Sequence, residues 1–117
     1  MDKLERIFAL QRQFDEDLAR RRGLTYRPEV WVQKEVLAML SELAELLDEV
    51  NFRWWKDPRP IDREKVLEEL VDLLHFFIST CLKMGFEAED LYEAYVRKNR
   101  ENFKRQEGLT EREGYKS

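Results

Sequence analysis

The sequence is short of the residues that break helices and of those that build strands. Four glycines and three prolines are spread over 117 residues, and β-branched side chains are sparse. Leu, Glu, Arg, Lys and Ala dominate instead, a composition that predicts an all-α fold. A single cysteine, Cys81, excludes an intrachain disulfide, and its apolar helical setting marks it as a small buried hydrophobe. No apolar run approaches the roughly 20 residues that span a bilayer. The opening Met1–Arg6 is charged and amphipathic rather than a signal peptide, so the expected location is the cytoplasm. Neither sign of charge prevails: a net charge of −4 with 39% charged residues excludes a basic nucleic-acid surface and an acidic disordered tail. The length allows one domain, 1–117, with a modest core and a charged, mobile tail at 108–117.

Four amphipathic segments are present. The first, residues 3–22, carries Leu4, Ile7, Phe8, Phe14 and Leu18 at helical period and ends on Arg20-Arg21-Arg22-Gly23. Gln11 falls on that apolar stripe with Asp15 one turn later; it is either a solvated stripe edge or an amide aimed into a pocket. The second helix runs from about Glu29 to Val50 behind Pro28, with a seam of Val36, Leu40, Leu43, Leu47 and Val50 available for packing. Beside the seam stand Glu42, Glu45 and Glu49, within roughly 60° of one another. Such a row is a solvated face unless a cation sits in it, because like charges at this spacing repel. A loop, Asn51–Ile61, sets Trp54 and Trp55 between Arg53 and Lys56, a combination suited to a flat, anionic ligand.

The third helix, capped by Asp62 and stopped by Gly85, is apolar almost all round, which implies burial on several sides and a homo-oligomer. Glu69, Asp72 and His75 interrupt it. An unpaired buried carboxylate costs several kcal/mol, so this pattern asks for a cation. The fourth helix, from about Glu87 to Gln106, places Lys98, Asn102 and Arg105 on one face. That face is either a polar helix end or an array of cation, amide and guanidinium for a polyphosphate.

Two acidic pairs therefore stand out, Glu42-x-x-Glu45 and Glu69-x-x-Asp72. On antiparallel helices they would face one another and offer the hard oxygen ligands that magnesium prefers. A di-iron bundle is excluded, since it needs a Glu-x-x-His pair on each of two helices and the chain has one histidine, not placed three after a glutamate.

The two pairs, 23 residues apart, resemble the signature of the all-α, MazG-like nucleoside triphosphate pyrophosphatases. Four blocks are similar more specifically to the dimeric dUTPases: Leu10-Gln11-x-x-Phe14-Asp15, Phe52-Arg53-Trp54-Trp55-Lys56, Glu69-x-x-Asp72-x-Leu74-His75-Phe76 and Lys98-Asn99-x-x-Asn102-x-x-Arg105-Gln106. The resemblance implies a four-helix bundle completed by oligomerisation, as a homodimer or homotetramer. It also implies Mg²⁺-dependent hydrolysis of dUTP to dUMP and pyrophosphate, with Mn²⁺ as a substitute ion. Glu42, Glu45, Glu69 and Asp72 would hold the metal, and Glu42, with Glu45 beside it, would activate water. Gln11 would read the base, Trp54 would lie beside it, His75 would approach the deoxyribose, and Lys98, Asn102 and Arg105 would bind phosphates. Ser41 stands where the superfamily motif often has a second glutamate, and Asp15 where an asparagine can occur. A pyrophosphatase for dCTP or another non-standard nucleotide is the alternative, because a free amide at Gln11 can rotate to suit either base. A non-catalytic helical interaction module is the third reading. Against it, Gln11, Asp72 and His75 break apolar stripes that such a module would keep.

Overall fold

The computed structural model describes residues 1–108; the expected mobile tail lies, apart from Gly108, outside the described residues. Four helices follow in order, α1 (Lys3–Arg22), α2 (Pro28–Glu49), α3 (Arg63–Lys83) and α4 (Ala88–Gln106), and the described residues contain no β-strand. The ends are set locally. Asp2 accepts from the Glu5 amide at 2.8 Å, and Asp62 accepts from the amides of Glu64 and Lys65 at 3.1 and 3.3 Å. Pro28 opens α2, where its missing N–H costs nothing. Gly23, at φ 63°, closes α1 in the left-handed region that a side chain rarely tolerates. Glu87 and Asp90 form a reciprocal capping box at the start of α4.

The two central helices, α2 and α3, pack antiparallel through matched lines at three and four spacing. Val32, Glu35, Met39, Glu42 and Leu46 of α2 face Val66, Glu69, Leu73, Phe76, Thr80 and Lys83 of α3, all of them half-buried or buried. The line that seals this pair thus contains Glu35, Glu42 and Glu69. Helix α1 crosses the far end, where Phe8, Ile78, Cys81 and Ala88 form the core with Leu4, Leu82 and Leu91 against them. Burial pushes the Cys81 thiol up from its ordinary pKa, in keeping with a packing role.

The apolar seam expected on α2 turns away from the rest of the chain. Val36, Leu40, Leu43 and Leu47 are exposed, and so are Leu67, Leu70, Val71, Leu74 and Phe77 of α3. Periodicity identified a shared face correctly but not what covers it. The accessible surface is 9652 Å², against about 6,800 Å² expected for a compact monomer of this mass. Among the described residues, two large apolar side chains, Phe8 and Ile78, are buried, worth roughly 1.5–3 kcal/mol each. No helix among the described residues is long and apolar enough to cross a membrane.

Candidate active site

The α2–α3 seam brings three carboxylates together at one end of a cleft. Oxygens of Glu42, Glu69 and Asp72 lie within 4.8 Å of one another. Glu42 Oε2 and Glu69 Oε2 are buried and receive no hydrogen bond. Burial raises the Glu69 carboxyl to about 7, helped by the neighbouring Glu42 and Glu45. Burial likewise raises Glu42, with the charges of Glu45 and Asp72 adding to the effect. Glu45 is exposed and borders the cluster, raising Glu69 through a side-chain hydrogen bond and through its charge. Crowded hard oxygens, two of them buried without a donor, are a donor set that fits a divalent cation.

This arrangement fixes a sign for stability against pH. A carboxyl whose folded value is raised from 4.5 to about 7 binds more protons folded than unfolded between those values, so stability falls as pH rises through that window. Thermal melts of metal-free protein should show Tm decreasing from about pH 5 to about pH 8, and added Mg²⁺ should raise Tm far more at the upper end. Equal Mg²⁺ shifts at both pH values would argue against the carboxylates as the binding groups.

Beyond the carboxylates the cleft, of about 550 Å³, is walled by Gln11, Phe14, Asp15, Trp31, Glu35, His75, Phe76 and Lys83. Gln11 is only 6% exposed. Its Nε2 donates to Asp15 Oδ1 at 2.8 Å, and its Oε1 lies 2.5 Å from His75 Nδ1. Deeper still, Ser79 Oγ is 2.6 Å from both Asp15 Oδ2 and Glu35 Oε1. Thr80 Oγ1 donates towards Glu35 Oε2 at 2.9 Å. Lys83 Nζ sits 3.3 Å from Asp15 and 3.6 Å from Glu35, and 4.6 Å from the centre of the Trp31 ring.

Several of these residues were not anticipated, although the sequence carries a trace of them. Glu35 precedes Glu42 by two helical turns on the same face, and Ser79 and Lys83 continue the line of Asp72 and His75 down α3. Other expected groups lie elsewhere. Trp54 is 85% exposed on a loop closed by two 2.9 Å hydrogen bonds between the Asn51 side chain and the Arg59 backbone, and it does not line the cleft. Lys98, Asn102 and Arg105 do not line it either. Arg105 is buried, with its guanidinium on Glu101 and Asn102. Within a single chain, then, the cleft unites the metal-type carboxylates with Gln11 and His75 but not with the cationic end of α4.

The profile of the dUTPase family matches residues 3–84 and 77–109. The chain belongs to this dUTPase family. Among its relatives, a dCTP pyrophosphatase of Enterobacteria phage LZ5 is 32% identical over 75 residues, covering 64% of this chain and 44% of that protein. A dCTP pyrophosphatase of Enterobacteria phage T4 is 30% identical over 88 residues, covering 63% of this chain and 52% of that protein. This dUTPase-family chain spans about half the length of the curated relatives it matches. No solved structure matches it significantly.

Proposed function

We propose that the protein is a Mg²⁺-dependent pyrophosphohydrolase of dUTP, releasing dUMP and pyrophosphate. The observation that carries this reading is the Glu42–Glu69–Asp72 cluster, with two buried oxygens lacking donors, at one end of a nucleotide-sized cleft. Membership of the dUTPase family supports it. Glu42, Glu69 and Asp72 would hold the cation, with Glu45 beside them at the rim. Bound there, Mg²⁺ would neutralise phosphate charge and favour ionisation of water. Glu42, through Oε2, would orient the attacking water and receive its proton as the α–β phosphoanhydride bond breaks. Gln11 and Phe14 would line the base and His75 the sugar.

A second substrate reading, dCTP, is favoured by a particular feature. At the deep end of the cleft two carboxylates, Asp15 and Glu35, share the ammonium of Lys83. The net negative charge of that trio suits the exocyclic amine of cytosine better than the carbonyl of uracil. Both phage relatives are dCTP pyrophosphatases, which points the same way. Pyrophosphate release from dUTP, dCTP, dTTP, dATP and UTP, each with Mg²⁺ and with chelator, separates the readings. Equal rates on dUTP and dTTP would sink the uracil assignment, and a folded protein inactive on every nucleotide would return the chain to the interaction-module reading.

The working unit we propose is a homo-oligomer, a dimer or a tetramer. The accessible surface exceeds that of a compact monomer, which leaves apolar faces of α2 and α3 for a second copy to cover. The apolar side chains exposed there include Leu37, Leu40, Leu43 and Leu47 of α2 and Leu67, Leu70, Leu74 and Phe77 of α3.

A further inference from the structure

Gln11 has two hydrogen-bonding ends, and its surroundings permit one orientation. Ser79 Oγ, at 2.6 Å, divides its one proton between Asp15 and Glu35. Asp15 Oδ2 also receives Lys83 Nζ at 3.3 Å, and an ammonium can only donate, so Asp15 is held as an acceptor. Its Oδ1 therefore takes an N–H from Gln11, at 2.8 Å. That turns the Gln11 carbonyl oxygen towards His75, 2.5 Å from Nδ1. A carbonyl oxygen can only accept, so Nδ1 must carry the proton. In a neutral ring, Nε2 is then left as an acceptor.

We propose that Lys83 and Asp15 are positioning residues that set the tautomer of His75 through the Gln11 amide, so that the ring offers the cleft an acceptor at Nε2. Free histidine favours the opposite form, with the proton on Nε2, so the tautomer reports on the relay. An asparagine at position 15 would not set it, because an amide presents either a donor or an acceptor and lets Gln11 turn over. The group that Nε2 meets must be a donor, and on a deoxynucleotide the sugar hydroxyl is such a donor. That last assignment rests on the proposed function; the tautomer does not.

The chain has one histidine, so its ring nitrogens can be read without ambiguity. Imidazole ¹⁵N NMR on the protein free of metal and nucleotide, at about pH 8.5 where an imidazole is neutral, should show the proton on Nδ1. Lys83→Arg should preserve that form, whereas Asp15→Asn and Lys83→Met should each raise the Nε2–H population several-fold. A wild-type ring protonated on Nε2 overturns the proposal, and so does a folded Asp15→Asn variant with the tautomer unchanged. With nucleotide, Asp15→Asn should raise KM by about tenfold, the value of one lost hydrogen bond, with kcat nearly unchanged. A loss confined to kcat would overturn the sugar contact. Absence of any hydrolysis would remove the proposed function and leave the tautomer result standing.

Discussion

Glu69→Gln is expected to lower Mg²⁺-dependent turnover by roughly 10²–10³-fold, the scale seen when one electrostatic partner of a transition state is removed. The same substitution should make the metal-free protein more stable above neutral pH, which is an unusual result for a half-buried position. The reason lies in the cluster itself. Glu69 is already held up to about 7 by burial and by Glu42 and Glu45, so in metal-free protein its ionised form is the unfavourable one. A glutamine keeps the shape, removes one of the repelling charges, and offers an N–H to the undonated Glu42 Oε2. Activity assays and thermal melts with and without Mg²⁺ check both halves. Turnover surviving both chelation and Glu69→Gln would dismantle the metal mechanism, and a less stable metal-free variant at about pH 8 would refute the electrostatic account of the cluster.

The second large effect concerns Leu40. In the isolated chain this side chain is 56% exposed, and an exposed leucine replaced by aspartate ordinarily changes stability by no more than about 0.5 kcal/mol. If α2 packs against another copy, the same aspartate is buried unpaired in an apolar contact, at a cost of several kcal/mol. Leu40→Asp is therefore expected to lower the mass measured by light scattering to that of one chain, with a drop in Tm and loss of turnover. An unchanged mass and Tm would show that this seam faces water. The prediction is sharp because a single chain and an assembly give opposite answers for one residue.

Much of the architecture was legible in the sequence because helix ends and apolar periods are local. Asp62 as a cap, Pro28 at the start of α2 and Gly23 at the end of α1 each act within a few residues of themselves. The proximity of Glu42, Glu69 and Asp72 followed from two spacings and an antiparallel turn. What periodicity could not supply is the identity of the surface opposite each face. The leucines of α2 form a seam suited to packing against another helix, yet the line that meets α3 holds Glu35 and Glu42. Glu35, Ser79 and Lys83 went unnoticed for the same reason. Each reads as an ordinary surface residue until the others are placed around it, and their mutual satisfaction is what allows them to be buried. Trp54 and the α4 cations show the reverse case. Their chemistry suits a nucleotide, but one chain folded alone does not bring them to the cleft.

One property of α3 reaches further. Asp72, His75, Ser79 and Lys83 are carried on one face of a single unbroken helix, so they behave as marks on a rigid ruler. A one-residue insertion anywhere between Asp72 and Ser79 would turn every later mark by about 100°, separating the group that faces the cation from those that grade the base. Gradual change of substrate in this scaffold is thus confined to exchanging side chains at existing marks, or to altering α1 and α2 opposite them. Length variation has to be absorbed in the loops, and the 51–61 connection is where this chain has room for it.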